Sequence, residues 1–132
     1  MKKEDLMIGD WVNIQTEEDD EPMYLQVEQL WECEIDADFQ TGYENVYPIP
    51  LTEEILENNG FKEDFERKGI YWRPDCRKFC IVKELDTWYF AFRVLGETVD
   101  RSSGYICISE CNYVHNFQHL LRDLGIETEV IL

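Results

Sequence analysis

Apolar and polar positions alternate with a period of two over much of the chain, the signature of strands that bury one face. Residues 6–14 form a short apolar and β-branched run carrying Trp11 and Val12, and Gly9-Asp10 inside it predicts a bulge or turn just before the strand proper. Residues 23–31 alternate, with Met23, Leu25 and Val27 against Tyr24, Gln26 and Glu28. Cys33, Ile35, Ala37 and Phe39 continue the alternation against Glu32, Glu34, Asp36 and Asp38, so one face is apolar and the other almost wholly acidic. This predicts a half-buried antiparallel strand with a solvated outer face. Gln40-Thr41-Gly42 is expected to turn the chain and residues 43–47 to form another short strand. Four short strands within the first 50 residues predict a small curled sheet or an SH3-like barrel.

The period then changes. Thr52 is a good N-cap, Glu53 and Glu54 suit the positive end of a helix, Leu51 can staple onto Leu56, and Gly60-Phe61 form a stop of the Schellman type. A two-turn helix is predicted within 48–61, followed by a helical turn around 63–67. Strands are expected at 69–72, halted by Pro74-Asp75, and at 77–84 and 87–95, joined by a turn at Leu85-Asp86. Trp88, Tyr89, Phe90 and Phe92 give the last of these an aromatic, core-forming face. Turns at Gly96 and 100–104 and a strand at 105–108 complete an antiparallel meander. Residues 112–124 project Tyr113, Val114, Phe117, Leu120, Leu121 and Leu124 into one helical stripe, with His115, His119 and Arg122 on the opposite, solvent-facing side. Gly125 ends that helix, and 126–132 are expected to return as a terminal strand.

Charge changes the picture more than composition does. The chain has 132 residues, 29 acidic and 12 basic, for a net charge of -17. Its 44% apolar and 14% aromatic content is too high for a disordered chain, and its length suits one compact domain over residues 1–132, or two very small ones sharing a core. Residues 1–66 hold 20 acids and three bases, whereas residues 67–132 hold nine of each, so the whole excess lies in the first half. It is densest at Glu17, Glu18, Asp19, Asp20 and Glu21 and again through Glu32, Glu34, Asp36 and Asp38. These nine residues are the candidate partner-binding set. They read either as a solvated loop and sheet face or as a surface that attracts a basic protein. The consecutive acids lack the alternation and glycine of a calcium loop, so no dedicated calcium site is expected. The acidic balance argues against direct binding to nucleic-acid backbones. No apolar run reaches the length of a membrane span, and the start at Met1-Lys2-Lys3 is not followed by a secretory core, so a cytoplasmic location is expected.

Five cysteines, spaced four apart at Cys76 and Cys80 and at Cys107 and Cys111 with Cys33 alone, read as free, buried thiols rather than zinc knuckles or disulfides. Cys111, His115 and His119 fall four apart and would line one helix face. The readings open for them are exposed histidines, His115 bonded to a neighbouring sheet, a metal chelate, or a Cys–His pair needing a third, orienting group. The H-E-x-x-H signature, phosphate loops, nucleophile elbows and dinucleotide fingerprints are absent, and no cofactor is expected.

Tyr47-Pro48-Ile49-Pro50-Leu51-Thr52-Glu53-Glu54-Ile55-Leu56, closing with Gly60-Phe61, resembles a segment of a family of small uncharacterised proteins from Bacteroides-type bacteria and their phages. Residues 113–118, Tyr-Val-His-Asn-Phe-Gln, continuing to Leu120-Leu121 and Leu124, resemble its second segment, and Ile8-Gly9-Asp10-Trp11-Val12 is compatible with its start. The likeness covers the chain in order but only about a quarter of its positions. This chain departs from the family pattern at Leu120-Leu121-Arg122-Asp123 and in its longer acidic loop. The resemblance implies a similar fold and a phage or mobile-element accessory role, and it supplies no catalytic residue.

The expectation is therefore an α+β domain: an acidic, SH3-like β segment, a short helix, then a meander packed by one C-terminal helix. The expected function is noncatalytic binding of a basic protein, in competition with nucleic acid. A self-associating structural component and a small metal- or thiol-dependent enzyme are the alternatives.

Overall fold

In a computed structural model, the structure describes residues 1–16, 21–126 without 94–104, and 129–132. The chain is α+β and divides into two compact units. The first comprises Met1–Pro50 and Tyr113–Glu127, the second Leu51–Asn112 and Thr128–Leu132.

The first unit begins with a single 3-10 turn, Lys3–Asp5. Strands β1 (Trp11–Ile14), β2 (Met23–Gln26), β3 (Gln29–Leu30), β4 (Glu34–Ala37), β5 (Phe39–Gly42) and β6 (Val46–Tyr47) follow. They form two antiparallel three-stranded sheets, in the orders β2-β1-β6 and β3-β4-β5, and among the described residues they do not close into a barrel. One core joins both sheets: Leu6, Val12, Ile14, Val27, Ile35, Ala37 and Val46 are buried together. The alternation holds through Ala37 and breaks at Asp38, whose φ of 68° makes a left-handed turn that an aspartate tolerates. The turn expected at 40–42 therefore comes earlier, residues 40–42 lie in β5, and Phe39 falls on the exposed side of the break. Residues 43–45 form a 3-10 turn, so only Val46 and Tyr47 of the expected strand join the ladder.

The second unit opens with α1 (Glu53–Asn58). Thr52 caps it by accepting from the Ile55 N–H. Gly60, at φ 86°, ends it, with the Phe61 N–H on the Leu56 carbonyl and the Gly60 N–H on that of Glu57. A five-stranded antiparallel sheet follows, in the order β11-β10-β9-β8-β7, from β7 (Lys62–Glu63), β8 (Ile70–Arg73), β9 (Cys76–Glu84), β10 (Thr87–Arg93) and β11 (Tyr105–Glu110). No helix forms at 63–67: Asp64 Oδ1 accepts from the N–H groups of Glu66 and Arg67, a local turn that competes with helix. One sheet face is aromatic, with Phe79 5.5 Å from Phe90, Phe61 5.9 Å from Phe79 and Tyr71 5.4 Å from Trp88. Ile70, Cys80, Val82 and Ala91 fill a cluster on the other. Both faces being apolar at mid-sheet, residues 79–82 are all buried. Residues 129–132 do not form the expected strand. The buried Asn59 holds them instead, its Oδ1 accepting from the Ile131 N–H and its Nδ2 donating to the Ile131 carbonyl. The turns expected at 96 and 100–104 lie outside the described residues.

The principal helix, α2 (Val114–Asp123), belongs to the first unit and packs against β1. It starts two residues later than the sequence suggests because Tyr113 is held extended, in a β-bridge with Pro50. Gly125, at φ 72°, stops it with a second Schellman pair, Ile126 N–H on Leu121 and Gly125 N–H on Arg122. Val114, Phe117 and Leu121 are buried as expected, while Tyr113 and Leu124 are exposed.

Candidate functional site

The candidate acidic residues divide by position. Glu17, Glu18, Asp19 and Asp20 lie outside the described residues, and Glu21, Glu32 and Asp38 are exposed. Glu34 and Asp36 alternate with the fully buried Ile35 and Ala37, which places them side by side on the outer face of β3-β4-β5. Asp36 pairs across the sheet with Gln29 on one side and Gln40 on the other, giving a polar row. Trp31 is 49% exposed at the edge of this face, with its indole N–H donating to Asp36 Oδ2 at 3.2 Å and its carbonyl accepting from the Tyr43 hydroxyl. Among the described residues no cation pairs with Glu34 or Asp36; the ion pairs found are Arg73–Asp75 and His119–Asp10. The outer face can therefore take up a positive charge without first breaking an internal pair.

The polar face of α2 is a correction to the sequence reading. His115, Gln118, His119 and Arg122 do share one side of the helix, but His115 is buried and Gln118 and His119 are half-buried against the chain, while Arg122 is exposed as expected. Residues 7–10 make a tight turn, with Gly9 at φ 94° and the Met7 N–H donating to Asp10 Oδ2 at 2.8 Å. Gln118 grips it twice, Oε1 accepting from the Trp11 N–H at 2.8 Å and Nε2 donating to the Gly9 carbonyl at 3.0 Å. His119 Nε2 donates to Asp10 Oδ2 at 2.7 Å, and Arg122 donates to the Ile8 carbonyl at 3.3 Å. Asp10 is fully buried, so this bond offsets a desolvation cost of several kcal/mol. Its Oδ1 has no partner among the described residues. A turn signal and a polar helix stripe give no sequence hint that Asp10 meets His119 and Gly9 meets Gln118, each 109 residues apart.

His115 is 5% exposed. Its ring stacks on Tyr113, at 5.9 Å and 14°, and meets His119 edge-on at 5.7 Å. Burial holds it below the usual imidazole range, against the opposing pull of the Asp10 and Asp5 carboxylates. Its Nε2 lies 3.4 Å from the side-chain nitrogen of Asn116, and its Nδ1 has no partner among the described residues. These residues form one wall of a pocket of about 460 Å³, lined by Met1, Glu4, Asp5, Pro48, Tyr113, His115, Asn116 and His119. Cys111 precedes the helix and belongs to the second unit, so helical spacing does not join it to the histidines. Among the described residues no three His, Cys, Asp or Glu side chains are arranged to hold a metal ion.

The cysteines are free, but only Cys80 and Cys111 are buried; Cys33 and Cys107 are exposed and Cys76 is half-buried. The expected buried set is thus two of five, because Cys33 lies just outside β4 and Cys107 on the edge strand β11. No helix among the described residues is long and apolar enough to cross a membrane. No protein-family model, no curated protein and no solved structure matches the chain.

Proposed function

We propose that the first unit is a noncatalytic binding module for a basic protein surface, an accessory factor of a phage or mobile element that competes with nucleic acid for that surface. The observation that carries this reading is the outer face of β3-β4-β5, where Glu34 and Asp36, in no ion pair among the described residues, stand beside the exposed indole of Trp31. Carboxylates supply attraction at a distance, and an indole supplies a surface on which an arginine or lysine can rest. The unit as a whole carries 16 acids and only Lys2, Lys3 and Arg122 as bases, so a cationic partner meets little repulsion.

The test is capture from a lysate of the native host at about 50 mM and 500 mM salt, which spans weak and strong screening. The captured protein is then purified and titrated against Glu34→Gln/Asp36→Asn, Trp31→Ala and the loop reversal of Glu17, Glu18, Asp19 and Asp20 to Lys. A basic partner held at low salt, released at high salt and weakened about tenfold by Trp31→Ala supports the reading. Binding unchanged in the first two variants removes the sheet face from it, and binding unchanged in the third removes the loop.

One observation favours assembly as a second reading. Strand β11 is an edge of the described sheet, and its Ile106 and Ile108 are 56% and 54% exposed. Edge strands with apolar side chains pair with other chains. A salt-resistant oligomer that Ile106→Lys disperses would support that reading over the first.

A further inference from the structure

Among the described residues the two most exposed large apolar side chains are Phe65, at 102%, and Leu85, at 96%; no other exceeds 59%. Both stand on turns at one end of the second unit's sheet. Phe65 lies between β7 and β8, and Leu85 and Asp86 join β9 to β10. The Gly69 carbonyl accepts from the Lys83 N–H, so the two turns lie side by side. Single exposed apolar residues are ordinary on a protein surface, but two nearly bare ones on neighbouring turns form a patch.

Neither turn uses its apolar residue to hold its shape. Asp64 builds the first: its N–H donates to the Ile70 carbonyl, its Oδ1 accepts from the Glu66 and Arg67 N–H groups, and its Oδ2 accepts from the Trp72 indole. Leu85, at φ 56°, takes the left-handed backbone at the first position of a two-residue hairpin, where glycine or asparagine is usual. A leucine disfavours that turn and, so exposed, buries almost nothing to offset it. A contact outside the chain gives both side chains a role that the chain itself does not.

Charge selects the partner. Residues 62–69 and 83–87 carry five acids and four bases, so this end of the sheet is nearly neutral in a chain of net charge -17. Glu63 and Asp64 are taken up by hydrogen bonds within the first turn and its strands, and Lys83 lies over the Trp88 ring at 5.3 Å. The remainder is segregated by sign: Lys62, Arg67 and Lys68 outweigh Glu66 on the first turn and its strand, and Glu84 and Asp86 flank Leu85 on the hairpin. We propose that this end of the sheet is a dimerisation surface for a second copy of the chain. A two-fold axis sets the first turn of each copy on the hairpin of the other, so that Phe65 packs on Leu85 and the bases face Glu84 and Asp86, every contact being made twice. The surface is distinct from the acidic face of β3-β4-β5 and from the β11 edge.

The test is sedimentation of the full chain from about 5 µM to about 1 mM at about 150 mM salt. A monomer–dimer equilibrium within that range is expected, as befits a small contact. Phe65→Ser and Leu85→Asn should each weaken it about tenfold or more. Neither should lower the urea midpoint of the dilute monomer, and Leu85→Asn should raise it, because asparagine tolerates the left-handed backbone. Lys68→Glu and Asp86→Lys should each weaken the dimer, and the two together should restore it. A chain that stays monomeric throughout, a dimer unchanged by Phe65→Ser or Leu85→Asn, a midpoint lowered by Leu85→Asn, or no recovery in the charge swap would each overturn the proposal. A dimer that Ile106→Lys alone disperses would overturn it too, and would leave association to β11.

Discussion

At the scale of single residues, environment separates side chains that the sequence treats alike. Cys80 and Cys111 are both fully enclosed, and their thiols are pushed up to about 12, by burial first in each case. Cys33 and Cys107 are open to solvent. Thiolate is the reactive form, so a thiol reagent at neutral pH should modify Cys33 first. Cys107 should follow more slowly, because local desolvation and Glu84 hold its thiol up. Cys80 and Cys111 should stay unmodified until denaturant is added; mass spectrometry of peptides from partly labelled protein checks the order. The even apolar weight given to every cysteine in the sequence could not make this distinction. Strand period places a residue on a face, but not at the rim or the centre of a sheet. The same limit explains the histidines: a polar stripe on a helix reads as solvated unless its partner is known. Here His119 meets the Asp10 carboxylate, and its neighbour Gln118 meets backbone groups of Gly9 and Trp11, which carry no sequence signature.

Elements were far more legible than contacts. Local chemistry specifies α1 at both ends, and the structure keeps Thr52 as its cap and Gly60 as its stop. The Leu85-Asp86 and Pro74-Asp75 turns and the three long strands of the meander also stand where turn residues and alternation put them. The misses fall where a side chain overrides propensity, as Asp64 does against a helical turn, or where a side chain replaces a ladder, as Asn59 does for the tail. Two glycines allow a graded test of the stops. Gly60 and Gly69 both have positive φ, so alanine at either costs about 1–2 kcal/mol. A Cβ at Gly60 meets nothing closer than 3.9 Å, whereas at Gly69 it would lie 2.9 Å from the Lys83 carbonyl, which belongs to the sheet itself. Gly69→Ala should therefore be the more damaging, by about 1 kcal/mol or more, in paired chemical-denaturation curves.

For the whole molecule, two responses to acid oppose each other. Protonating carboxylates relieves the self-repulsion of a chain at net charge -17. Protonating His115 does the reverse. Its folded-state value lies below the ordinary imidazole value of 6.5, so between the two the unfolded chain binds more protons. The stability it contributes is complete above about pH 6.5 and is lost as pH falls through the folded value, by at most about 1.4 kcal/mol per pH unit. Comparing unfolding of the native chain and His115→Gln from about pH 7.5 to 5.5 separates the terms. The native chain should lose stability relative to the variant, and parallel profiles would show that His115 titrates alike in both states.

The chain leaves the first unit at Pro50 and returns to it at Tyr113, where those two residues form a β-bridge. During synthesis, the sheet strand β1 therefore waits for its helix until most of the protein has been made. From residue 50 to residue 127 a ribosome adding about 5–20 residues per second needs on the order of 4–15 s. For that interval the buried carboxylate of Asp10 has no histidine, and the turn at Gly9 and Trp11 has no Gln118 to hold it. Over that interval the acidic excess of residues 1–66 makes neighbouring nascent chains repel one another.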